Sequence, residues 1–177
     1  AIDGKGFFAI KTPNGTRYTR NGNFTWSING ANIELTDTEG NQVMDTNMKA
    51  IRLPAGCVSN LITIAQDGQI YYPDAENNLQ SMGMTIGLYQ FQNPAGLHKN
   101  SSSLYEVTDA SGQAINEATT NLQIQKSGIR QGYLEGSNVQ VVDEMVNLIV
   151  AQRAYEMNSK IITASDEMMQ QANNLRG

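Results

Sequence analysis

The chain has 177 residues, 40% of them hydrophobic and 16% charged, with a formal net charge of −5. That is enough apolar material for one domain and an extension. The acidic balance, with only 12 Lys and Arg and no basic run, argues against nucleic acid as a partner.

In chain order, the opening AIDGKGFFAI lacks the apolar core of a signal peptide. With no initiator Met, the sequence is expected to begin inside a longer gene product. Residues 1–127 read as a mainly β domain, a compact antiparallel sheet of irregular or barrel-like form. Asp3-Gly4, Asn14-Gly15, Asn21-Gly22, Asn29-Gly30 and Asp67-Gly68 are turn pairs, because Asn, Asp and Gly tolerate positive φ. The strands expected between them are Phe7–Lys11, Thr16–Arg20, Phe24–Ile28, Asn32–Thr36, Leu61–Ala65, Gln69–Tyr72, Thr85–Phe91, Leu104–Thr108 and Leu122–Lys126. The strongest hairpin signal joins Arg17–Arg20 to Asn23–Trp26 around Asn21-Gly22, which would set Arg17 across from Trp26 in a cation–π contact. Asp37–Lys49 reads as a polar loop or weak hairpin, and Asp109–Asn121 as the most mobile loop. Pro54, Pro73 and Pro94 mark strand ends.

Residues 128–138, with Gly128, Gly132 and Gly136 opposing helix, read as an extended connector. Residues 139–177 then read as one long helix with Asn138 as its N-cap and Asp143 and Glu144 near its positive end. About 39 residues at ~1.5 Å each make a rod of roughly 58 Å. One seam runs Val141, Met145, Leu148, Gln152, Tyr155, Ser159, Ile162, Asp166, Met169, spaced four and three. A neighbouring set (Val142, Ile149, Ile161, Met168, Ala172, Leu175) widens the apolar face. A strict zipper would show one clean seam; a broad, Met-rich face fits several neighbours. Glu156 and Lys160 are placed for an i,i+4 ion pair. No other helix is expected in residues 1–137, so the partner helices must come from outside. The residues expected to carry assembly are Asn138, Val141, Met145, Leu148, Tyr155, Ile162, Met169 and Leu175.

No catalytic, cofactor or metal site is expected. The one histidine, His98, sits in NPAGLHKNSSS with no nucleophile-elbow motif. Cys57, the one cysteine, excludes an internal disulfide and a cysteine-based metal site. Asp37-Thr-Glu39-Gly-Asn41 has its Gly misplaced for a calcium loop and reads as a polar turn. No run approaches the ~18 apolar residues of a membrane span, so lipid insertion is not expected.

Several motifs carry a resemblance. The C-terminal QGYLEGSNVQVVDEMVNLIVAQRAYEMNSKIITASDEMMQQANNL (Gln131–Leu175) carries it best. AIDGKGFF at Ala1–Phe8, YTRNGNF at Tyr18–Phe24, DGQI at Asp67–Ile70, FQNPAGL at Phe91–Leu97 and LYEVTDASG at Leu104–Gly112 extend it over nearly the whole chain. Together they resemble the bacterial flagellar axial family of rod and hook proteins, and within it the distal-rod members. The family's N-terminal helical segment, with its Asn-Leu-Ala-Asn-type motif, does not appear. The resemblance implies a structural subunit and no enzyme. It implies export through the flagellar apparatus without a cleaved signal, and helical polymerisation into a rigid tube that crosses the periplasm, contains the export channel and transmits torque. The β-rich part would be an outer, D1-like domain and the helix a coiled-coil-forming, D0-like layer. The implied partners are further copies of the chain, other axial proteins (proximal rod and hook) and the rings around the rod. The alternatives are a proximal rod or hook subunit, a non-flagellar β-domain binding module with a coiled-coil tail, and an enzyme resting on His98 or Cys57.

Overall fold

The structure is a computed structural model. It describes every residue except 31, 55, 75, 120–123, 137–138 and 176–177. The chain divides into a body, Ala1–Glu135, and a second unit, Gly136–Gly177. The body is antiparallel sheet and the second unit carries one α-helix, which is the fold class expected from the sequence.

Among the described residues, fifteen short strands build the body: β1 (Ile2–Asp3), β2 (Phe7–Thr12), β3 (Gly15–Thr19), β4 (Thr25–Asn29), β5 (Asn32–Thr36), β6 (Gln42–Val43), β7 (Arg52–Pro54), β8 (Thr63–Ile64), β9 (Gln69–Pro73), β10 (Leu79–Thr85), β11 (Leu88–Gln90), β12 (His98–Lys99), β13 (Leu104–Glu106), β14 (Ile115–Asn116) and β15 (Gly128–Ile129). The main sheet runs β12-β13-β3-β2-β6-β5-β4, with β11 also on β2, β14 on β11 and β7 on β5. β8, β9 and β10 form a separate meander, and β1 pairs with β15.

β2 is the axis of this arrangement. Its FFAI run is apolar without alternation because both of its faces are buried. Phe8 and Ile10 face one core with Leu35, Val43, Ile51, Leu53, Ile70 and Ile86. Phe7 and Ala9, on the opposite face, join Tyr18, Met44, Tyr89, Phe91 and Leu97. Edge-to-face ring contacts order the second core: Phe7 lies 5.5 Å from Phe91, and Tyr18 lies 5.0 Å from Phe91.

The turns are built by side chains. Asp37, Asp45 and Asp74 repeat one device, in which Oδ1 accepts from the backbone N–H two and four residues on (Glu39 and Asn41, Asn47 and Lys49, Glu76 and Asn78). The polar turn expected at Asp37–Asn41 is therefore present. Pro54 and Pro73 are the last residues of β7 and β9, whereas Pro94 opens a 3-10 turn.

Several expectations are corrected. The Asn21-Gly22 hairpin does not form. Both edges of β3 are already occupied, by β2 and β13, so β4 turns away and pairs with β5. The intervening bend is tied by Asn21 N–H to Thr19 Oγ1 and by Asn23 N–H to Asn21 Oδ1. Arg17 consequently pairs with Glu106 at 3.1 Å, and Trp26 stands opposite Leu35. The Asn14-Gly15 hairpin forms one residue earlier: Thr12 pairs with Gly15 across Pro13-Asn14. Leu61–Ala65 shrinks to β8, because Ser59–Leu61 is a 3-10 turn. Thr85–Phe91 splits between the end of β10 and β11, since Ile86 leaves the sheet path to bridge Asp45. Asp37–Lys49 contains β6, and Asp109–Asn121 contains β14. In Leu122–Lys126, residues 122 and 123 lie outside the described ones, and Ile124–Lys126 form no strand.

The segment read as a connector also belongs partly to the body. β15 pairs with β1, with Ile2 opposite Ile129. This closes the body with residues more than a hundred positions apart. Gly4 (φ +138) lets the chain pass Ser127, whose Oγ would lie 2.6 Å from a Cβ there. Gly6 donates its N–H to that oxygen. Ser127 is in turn held by the buried Glu117, which accepts its N–H at 2.6 Å and its hydroxyl at 2.9 Å.

A candidate assembly helix

The second unit is organised by α1, Val141–Asn174, a continuous helix of 34 residues with no buried residue. It begins two residues later than expected. Gln140 occupies the N-cap position and makes no side-chain capping bond; Asn138 lies outside the described residues. Asp143 and Glu144 stand in the first turn, where the helix dipole favours negative charge. Glu156 accepts from Gln152 Nε2 at 3.4 Å, in place of an ion pair with Lys160.

At about 100° per residue, most of the large apolar side chains of α1 fall into two stripes, while Val142 and Ile149, also exposed, lie between them and join the two near the start of the helix. The first is Val141, Met145, Leu148, Tyr155, Ile162 and Met169, the seam legible in the sequence. Its seven-residue spacing makes it drift by about 20° per heptad around a straight helix. The second is Val146, Val150, Met157, Ile161 and Met168, spaced four and seven, and it stays nearly in line because eleven residues close to three turns. Leu175, just beyond the helix, falls at the azimuth of the second stripe. The two stripes lie on roughly opposite sides. All eleven helix residues are exposed, from 50-odd per cent at Val146 (52%) to 77% at Tyr155. Arg153, Glu156, Lys160 and Glu167 occupy one flank between the stripes, and Asn147, Ala151, Ala154, Asn158 and Ser165 the other.

The sequence places six of its expected assembly residues in one seam and Leu175, with Ile161 and Met168, in a neighbouring set; on the helix these three fall at the azimuth of the second stripe. Val146, Val150 and Met157 are not singled out there. The signal that finds them is the four–seven spacing, which a search for heptads passes over.

The chemistry-bearing residues do not converge. His98 is exposed on β12, opposite Glu106. Cys57 is half-buried against the first core. A cavity of about 370 Å³ is lined by Thr46, Asp67, Gln69, Glu117 and Lys126 among others, and neither His98 nor Cys57 reaches it. Among the described residues, no group of three His, Cys, Asp or Glu side chains is placed to hold a metal ion, and no helix is long and apolar enough to cross a membrane.

Comparison with known proteins covers both units. Residues 1–72 match the flagellar hook protein FlgE/F/G D1 domain, and residues 130–175 match the C-terminal part of flagellar basal body rod FlgEFG proteins. The flagellar basal-body rod protein FlgG of Bacillus subtilis is 40% identical over 99% of this chain and 64% of its own length. That of Borreliella burgdorferi is 41% identical over 99% of this chain and 63% of its own length. The chain belongs to the FlgG-type family of flagellar rod proteins. FlgG of Caulobacter vibrioides is 37% identical over 99% of the chain and 63% of its own length. The chain therefore spans somewhat under two thirds of the length of these FlgG relatives. The C-terminal match, ending at residue 175, takes in all of α1, so the two-striped helix lies inside the matched region.

Proposed function

We propose that the chain is a structural subunit of the bacterial flagellar basal-body rod. It polymerises helically with copies of itself and joins the proximal rod and hook within the axis, with rings around the rod as further partners. The resulting tube is a drive shaft that contains the export channel, and it performs no catalysis. The observation that carries this reading is α1. A helix of 34 residues with apolar stripes on opposite sides and no buried residue has more apolar surface than a free helix in water tolerates. Two opposite stripes need two partners, as a helix inside a tube wall has.

Helices of neighbouring subunits are the natural occupants of both stripes. The relatives named as flagellar basal-body rod proteins, at 36–41% identity, support the rod reading.

The test is deletion of Glu144–Gly177 in the full-length protein within a flagellated cell. The truncated subunit is expected to be exported while rod assembly stops. A rod of normal length and composition built from it would refute the reading.

A further inference from the structure

We propose that the four methionines of α1 (Met145, Met157, Met168 and Met169) form an oxidation-sensitive modification site, at which a peroxide converts the unassembled subunit to a form that no longer associates. This rests on the assembly reading above. The chain has eight methionines, and the fold ranks them by exposure. The four in α1 are 60%, 61%, 67% and 64% exposed. In the body, Met44 is 5% exposed and Met82 and Met84 pack half-buried against the first core, while Met48, at 40%, is exposed but less so than any methionine of α1.

Access ranks their reactivity, because the thioether lone pair must meet the peroxide oxygen in line with the O–O bond. Sulfur attacks one oxygen of hydrogen peroxide and the O–O bond breaks. The departing hydroxide takes up the proton released from the transferred oxygen. One methionine and one peroxide thus give one sulfoxide and one water, with sulfur oxidised by two electrons and peroxide reduced by two.

The placement gives the reaction its consequence. Met145 and Met169 belong to the first stripe, and Met157 and Met168 to the second, so oxidation writes a strong dipole and a hydrogen-bond acceptor onto both faces. A sulfoxide buried there without a donor is costly, and it converts a yielding apolar contact into a polar one. α1 contains no cysteine or histidine, which leaves these sulfurs as its readily oxidised atoms. Once a subunit is packed on both stripes the same sulfurs are shielded. The site therefore acts on subunits before incorporation.

The experiment treats the full-length subunit with hydrogen peroxide, maps sulfoxides by peptide mass spectrometry and measures self-association by sedimentation. The α1 methionines are expected to oxidise before Met48, Met82, Met84 and Met44, and association is expected to weaken roughly tenfold or more once they have reacted. A variant carrying Met145→Leu, Met157→Leu, Met168→Leu and Met169→Leu keeps volume and helix propensity; compared with its own untreated sample, whatever its starting affinity, it is expected to lose no association on the same treatment. Oxidation beginning at the body methionines overturns the proposal, as does undiminished association of a subunit bearing all four sulfoxides. Untreated wild-type protein that never associates overturns the assembly reading itself and the inference with it.

Discussion

Glu34 shows how one side chain ties four strands. Its side chain is 4% exposed. Oε1 accepts from Arg52 Nε at 2.6 Å, and Oε2 accepts from Gln42 Nε2 at 2.6 Å and Asn29 Nδ2 at 3.2 Å, joining β5 to β7, β6 and β4. The Gln42 bond above all, with those of Asn29 and Arg52, holds the carboxyl below its ordinary range against the opposing effect of burial. A folded value below the unfolded one contributes stability above the unfolded value and loses it as pH falls through the folded one. Glu34→Gln is expected to cost about 2 kcal/mol at neutral pH. The gap from wild type should close on acidification below the usual carboxylate range, read by urea denaturation across pH. A gap that persists in acid would show that shape, and not charge, holds the cluster. In the sequence Glu34 passes for a solvent-facing residue of the NIELT strand. Two of its three partners come from β6 and β7, which are too short to show any alternation.

At the scale of elements, local chemistry was legible and long-range pairing was not. β5 follows from its own residues, and β2, β3 and β4 are displaced by one residue at most. The pairing of β1 with β15 and the splitting of Thr85–Phe91 depend on segments far away in sequence. Arg20 makes the point. It sits in the segment expected to open a hairpin, yet it closes the base of the body instead. Its Nε and Nη2 donate to the Glu135 carboxylate at 2.9–3.1 Å, its Nη1 donates to the carbonyl oxygens of Gly4 and Gly6 at 3.0 Å, and its Cζ stands 5.7 Å from the Phe7 ring centroid. The ion pair is partly exposed and by itself contributes under about 1 kcal/mol. The two carbonyls lose a charged donor when the arginine is removed. Arg20→Met is therefore expected to lower the unfolding free energy by about 2–3 kcal/mol and Glu135→Gln by less than about 1 kcal/mol, measured by urea denaturation. Equal losses would assign the anchoring to the carboxylate alone.

At the scale of the whole molecule, the separation of labour has a measurable form. Both apolar cores are drawn from residues 2–129, while the two stripes of α1 bury nothing in the isolated chain. The first stripe was legible because its four–three spacing is the pattern of a zipper. The second was not, because its four–seven spacing is not that of a zipper, so that Ile161 and Met168 read as a widening of the first and Val146, Val150 and Met157 had no pattern to join. If both stripes are packed in the assembled rod, a charge on either must interfere. Leu148→Asp strikes the first stripe and Ile161→Asp the second. Each removes the burial of one large apolar side chain, about 2 kcal/mol, or roughly thirtyfold in an association constant. Glu156→Lys, on the charged flank between them, is expected to leave association unchanged. The body should keep its thermal midpoint in all three variants, within the about 4 °C that 1 kcal/mol would shift. Sedimentation of the full-length subunits, with thermal melts beside it, reads both quantities. A loss confined to Leu148→Asp would mean that α1 meets a single partner and that its second stripe faces solvent or the channel; a loss in both, with the melts unmoved, is what a helix held between two layers requires.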